Sequence, residues 1–117
     1  MRVWRAASKD WHVVSEGVRR KVLGTSNDCM MVLYEIKAGA NVPLHSHPEE
    51  QLGIIIDGKG VFTTEKGEIE VVGGDSYVIE PNERHAFTAK QDCLVIDVFV
   101  PPRKDFADEV SQADEEG

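Results

Sequence analysis

The 117-residue chain predicts a single all-β domain of the sandwich or barrel kind. Three observations carry that expectation. Short runs rich in β-branched and aromatic residues recur about every ten residues. Clusters of Gly, Pro and Asn separate them. No stretch of the body sustains the 3.6-residue apolar period of an amphipathic helix.

Taken in order, residues 11–15 and 18–23 are strand-like runs on either side of Gly17. Residues 29–37 form a longer run, ended by Ala38-Gly39-Ala40-Asn41. Residues 52–56 lead into a turn at Asp57-Gly58-Lys59-Gly60. Residues 61–65 and 68–72 face each other across Lys66-Gly67, a hairpin signal. Residues 76–80 follow the Gly73-Gly74-Asp75 turn, and 84–89 follow Pro81-Asn82-Glu83. Residues 93–100 complete the series, and Pro101-Pro102 stops it, because proline cannot donate to a ladder. Residues 104–112 are the one helical candidate, and 113–117 are expected to be disordered.

The net charge of −8 is concentrated at the C-terminus, where Asp105, Asp108, Glu109, Asp114, Glu115 and Glu116 follow one another without a base. The rest of the chain is nearly balanced, so the acidity reads as a solvated tail. Nucleic acid is not an expected partner, since no basic stripe with interleaved aromatics occurs. Arg19-Arg20-Lys21 reads as half-solvated strand residues. The run MRVWRAASKDWHVV has no signal-peptide core, and no apolar run is long enough to span a membrane. Cys29 and Cys93 lie in apolar segments without zinc-type spacing and read as buried small hydrophobes. A cytoplasmic protein with no membrane partner is the expectation.

The chemistry concentrates in HSHPEEQ, His45 to Gln51. On an extended segment His45 and His47 point to the same face. His85 opens a later strand after a turn. Neutral imidazoles suit Zn, Ni, Cu or Fe and leave positions open for water or substrate. By spacing alone, His-x-His with a distant His admits two readings, a metal site or surface decoration. His12 reads as an ordinary surface or core histidine. In the last strand Cys93, Val95, Asp97 and Phe99 share a face. A buried Asp97 either accepts hydrogen bonds from a turn or pairs with an arginine, or it is a general acid/base tuned by burial. Phe62, Tyr77, Phe87 and Phe99 serve either core packing or a sugar pocket. Trp4 and Trp11 read as packing at a barrel edge or dimer face. Leu52-Gly-Ile-Ile-Ile56 is apolar on both faces, which predicts cover on both sides and a homodimer.

The spacing Gly39, five residues, His45-Ser-His47, three residues, Gln51, six residues, Gly58 resembles the first motif of the cupin superfamily. The second motif is partial. Aligned on His85, Gly74 is in place, but Glu80 stands for the usual proline, Asn82 for the glycine and Ala89 for the final asparagine. The resemblance implies a double-stranded β-helix, or jelly-roll barrel, with a metal held inside one open end. It divides the chain into N-terminal strands packing on the barrel or dimer face (1–28), the barrel (29–103) and an acidic tail (104–117). It also implies four metal ligands, His45, His47, Gln51 and His85, for one divalent transition metal such as Zn, Ni, Mn or Fe. Gln51 stands where a glutamate is usual. Glu50, its rival, points to the opposite face of a strand, and Glu49 and Glu50 read as bystanders.

The combination HSHPxEQ, PN-x-x-H and D-x-F-x-P-P-R-x-D-F resembles, more narrowly, the pectin-degradation cupins of the KdgF type. That resemblance implies conversion of 4,5-unsaturated monouronates to linear keto sugars, with a sugar acid as small-molecule partner. It implies catalytic roles for Asp97 and Arg103, with Phe99 and Arg103 against the substrate. Glu49, often a histidine there, and Glu80 depart from the pattern. An Fe(II)-dependent cupin dioxygenase and a non-catalytic binding cupin, with or without metal, are the alternatives.

Overall fold

The computed structural model describes all residues, Met1–Gly117. Twelve strands form: β1 (Arg2–Val3), β2 (His12–Ser15), β3 (Val18–Thr25), β4 (Met30–Ile36), β5 (Asn41–His45), β6 (Glu50–Asp57), β7 (Lys59–Thr64), β8 (Gly67–Val72), β9 (Ser76–Ile79), β10 (His85–Ala89), β11 (Cys93–Val100) and β12 (Glu115–Glu116). Two antiparallel sheets carry the body. One runs β2-β3-β4-β11-β6-β9 and the other β5-β10-β7-β8. No helix is long and apolar enough to cross a membrane.

Alternation explains how the sheets face one another. Along β11, Cys93, Val95, Asp97 and Phe99 are buried while the residues between them are half-exposed. Along β6, Gln51, Gly53 and Ile55 point inward, and Leu52, Ile54 and Ile56 point out. The inward rows close into two apolar clusters. One joins Val18, Ile36, Ile55, Phe87, Cys93 and Val95; the other joins Val22, Met30, Val32, Phe99 and Phe106. At an order of 2 kcal/mol for each fully buried aliphatic side chain, these rows are the main stabilising contribution.

The expected hairpin is present, with Phe62 opposite Ile69 and Thr64 opposite Gly67. β5 was not anticipated, because Pro43 argues against a strand. It is tolerated there because β5 lies at the edge of its sheet. Two further expectations are corrected. The tail is not disordered at 113–117: β12 pairs with β1, Arg5 and Lys9 bond to Asp114, Arg5 bonds to Glu115, and the Trp4 indole donates to Ser111 O. The terminal acids meet the N-terminal bases. Residues 104–112 shorten to a 3-10 helix, Lys104–Glu109. The outer face of β6 is not covered within the chain: Leu52, Ile54 and Ile56 are 50%, 40% and 44% exposed. Cys93 is buried and Cys29 is half-buried, and both are free thiols.

Candidate metal centre

The site forms at one end of the space between the sheets. β5 ends on His45 and β10 begins on His85, and the two are opposite each other in the antiparallel register. His47 lies just past β5, in the bend that leads to β6. Its position is tied to the turn before His85, because the Asn82 amide donates to His47 O at 2.8 Å. Asn82 is left-handed at φ 65°, a conformation that asparagine tolerates and that accounts for its standing at the motif's glycine position. The other sheet supplies Gln51 on β6, opposite Phe99 on β11, with Asp97 two residues earlier on the same inward face. Arg103 follows Pro101-Pro102 and precedes the 3-10 helix.

One ring nitrogen from each of His45, His47 and His85 lies within 4.8 Å of the other two. Each Nδ1 faces a backbone carbonyl: His45 to Pro43 O at 2.8 Å, His47 to Glu49 O at 3.0 Å and His85 to Glu83 O at 2.8 Å. A carbonyl oxygen only accepts, so each Nδ1 carries the hydrogen. In the neutral rings, every Nε2 is then a bare lone pair. Gln51 Oε1, another acceptor, lies 3.0 Å from His47 Nε2. Two acceptors at that distance repel unless a cation binds both. The donor set therefore fits a borderline divalent transition ion: three imidazoles whose tautomers are held by backbone carbonyls, and one amide oxygen. Burial favours the neutral rings. It lowers the pKa of His47, with the Arg103 charge adding to the effect, and brings His85 down to about 4.

Asp97 is 4% exposed. Its carboxylate accepts from the Tyr77 hydroxyl. Asp97 is paired with neither a turn nor an arginine. Burial pushes it up to about 6, against the pull of the polar groups of Tyr77 and Gln51.

One cavity brings together His45, His85, Gln51, Asp97, Phe99 and Arg103, with apolar walls from Val42, Ile55, Phe62 and Phe87. His47 sits behind this lining, with its ring edge-on to Phe99 at 5.6 Å. Phe62, Tyr77, Phe87 and Phe99 all border the cavity, so each belongs both to the packing and to the cavity wall. His12 is exposed and remote from the cluster.

Two contacts here were not anticipated, those of Glu49 and of Tyr77. Glu49 is no bystander. It is 6% exposed, and its Oε1 lies 3.2 Å from Arg103 Nε. The strand alternation rule misplaced it because it precedes β6, where the backbone still bends. Glu50, on the strand, is exposed as alternation requires. Tyr77, one aromatic in an apolar run, carried no signal of its contact with Asp97.

Comparison with known proteins agrees with this architecture. The family described as Cupin domain matches residues 32–99. The pectin degradation protein KdgF of Dickeya dadantii (strain 3937) is 30% identical over 98 residues, which cover 82% of this chain and 89% of that protein. H2HPP isomerase of Bacillus subtilis is 33% identical over 67 residues, covering 56% of this chain and 28% of that one. The structure of KdgF from Halomonas sp. superposes with a TM-score of 0.83 at 29% identity, covering 89% of this chain and 98% of the other. An RmlC-like cupin from Shewanella frigidimarina NCIMB 400 gives a TM-score of 0.84 at 23% identity, over 90% and 95% of the two chains. With two facing antiparallel sheets, a histidine cluster at one open end and more than half of its length matched, the chain belongs to the cupin domain family.

Proposed function

We propose that this cupin opens and ketonises 4,5-unsaturated monouronates released by pectin or alginate breakdown. The observation that carries the reading is the meeting of Asp97, Phe99 and Arg103 with the histidine–Gln51 cluster around one cavity. The likeness to KdgF over most of both chains supports it.

His45, His47, His85 and Gln51 would hold one divalent transition ion. Because none of the four donors is anionic, such an ion would keep its full charge and act as a Lewis acid toward a substrate oxygen. Arg103 binds the uronate carboxylate. Its guanidinium is held by the hydrogen bond from Nη2 to Asp105 at 3.1 Å and by Phe99 and Phe106 beside it, with the Glu49 carboxylate as an ion-pair partner 3.2 Å from Nε. A planar fork held in this way orients a carboxylate. Opening the hemiacetal breaks the bond from C1 to the ring oxygen, leaving an aldehyde at C1 and an enolate over the ring oxygen, C5 and C4. Asp97 takes the proton released from the 1-hydroxyl and delivers that proton to C4, so the enolate becomes a ketone at C5 and the net change is an isomerisation. A carboxyl raised to about 6 suits proton transfer in both directions near neutral pH. Phe62 and Phe87 exclude water from the apolar end. Two chains would pair through the exposed row Leu52, Ile54 and Val78 on the outer sheet face.

The test follows the near-ultraviolet absorbance of an unsaturated monouronate. Wild-type protein supplied with Zn, Ni or Mn is expected to accelerate its loss. Asp97→Asn should abolish the acceleration while metal content stays unchanged. No acceleration by the wild type with any of these metals refutes the reading.

A further inference from the structure

We infer that Tyr77, reaching across Gly53, is a positioning residue that holds the Asp97 carboxylate; this rests on the proton-moving role proposed for Asp97. The three residues form one cross-strand row. Gly53 of β6 is opposite Tyr77 of β9 on one side and Asp97 of β11 on the other. In an ordinary antiparallel row each residue would contribute a side chain to the cavity wall, and the central one would separate its neighbours. Here the central side chain is missing. A Cβ added to Gly53 would collide with Asp97 Oδ1 and with the Tyr77 phenol, at both its ring carbon and its hydroxyl. The phenol therefore lies in the notch left by Gly53 and donates to Asp97 Oδ1.

The opposite sheet holds the phenol there. The Phe62 ring packs on Tyr77 with centroids 4.6 Å apart, and Phe87 packs on Phe62 at 4.8 Å. A buried carboxylate with no partner would be costly and free to turn about its own axis. With Oδ1 taken by Tyr77, its rotation is restrained. That matters for a group that must exchange a proton with substrate, because small displacements of a reacting group lower turnover far more than they lower binding.

The test uses Tyr77→Phe, Gly53→Ala and the double variant, with full-length protein supplied with metal and an unsaturated monouronate. Each single variant is expected to lower kcat about tenfold with KM changed less than about twofold, at unchanged metal stoichiometry. The alanine Cβ removes the same contact that phenylalanine removes. The double variant is therefore expected to be no slower than the slower single one. Multiplicative losses, or an unchanged kcat in Tyr77→Phe, overturn the inference. A second readout does not depend on turnover. The buried hydroxyl proton of Tyr77 should give a slowly exchanging low-field proton resonance. It should be absent in Tyr77→Phe and displaced in Asp97→Asn. A resonance unmoved by Asp97→Asn overturns the positioning role, whereas a wild type that turns over no uronate overturns the proposed reaction instead.

Discussion

Removing the Glu49 carboxylate should destabilise the protein far more than its place in a polar heptapeptide suggests. Its side chain is 8% exposed and that of Arg103 is 10%, with 3.2 Å between Oε1 and Nε. Breaking a buried pair from one side costs about 3–5 kcal/mol, because the remaining charge is left in a poorly solvated place. Two features put this case at the lower end. The contact is a charge–charge approach without good hydrogen-bond alignment, since Glu49 Oε1 and Arg103 Nε both lack a hydrogen-bond partner. Arg103 also keeps Asp105 at 3.1 Å and the rings of Phe99 and Phe106 at 5.0 and 4.5 Å. Glu49→Ala is thus expected to cost about 3 kcal/mol, a factor of roughly 150 in the unfolding constant. For a domain of this size that is a drop of about 12 °C in Tm. Urea unfolding followed by Trp4 and Trp11 fluorescence measures it, with an unchanged m value as the check on the two-state reading. Glu49→Gln, which keeps the shape and loses the charge, should fall between. Glu49→Leu combined with Arg103→Met removes both charges and should recover most of the loss. A cost below about 0.5 kcal/mol for Glu49→Ala would place it among ordinary surface substitutions and refute the reasoning.

The terminal clasp should open in acid. The Arg5 amide, the Lys9 ammonium and the Ser8 hydroxyl hold Asp114 down to about 2, from an ordinary 3.8. A depressed carboxyl contributes stability above its unfolded value and loses it as pH falls through the folded one, here between about 4 and 2. The Arg5 amide proton shift should follow that midpoint in an NMR titration, and a midpoint near 4 contradicts the bond. On the outer sheet face, Leu52→Lys with Ile54→Lys should convert a two-chain species to a single chain by light scattering. A wild type that is already a single chain at tens of micromolar refutes that pairing.

Where the chain alternates regularly, its sequence was informative. Gln51 could be told from Glu50 because β6 is a true strand from Glu50 onward, and Asp97 could be placed inside with Val95 and Phe99. The spacing of His45, His47 and His85 was informative for a similar reason, since β5 and β10 are paired with His45 opposite His85. Alternation failed one bend earlier, at Glu49, where no strand yet imposes a period. β5 itself was hidden by Pro43, whose edge position is a property of the sheet and not of the segment. Tyr77 and the acidic tail share another cause. Their partners, Asp97 across a glycine and Arg5 more than 100 residues away, are set by register and chain closure, which no local window contains.

The proposal that His45, His47, His85 and Gln51 together hold one cation is tested most directly by metal stoichiometry. Purified protein, equilibrated with a slight excess of Zn or Ni and freed of unbound ion, should retain one ion per chain by elemental analysis. Asp97→Asn should also retain one, and His85→Ala should retain close to none. A wild type that holds no ion, or a His85→Ala protein that holds as much as the wild type, would contradict it.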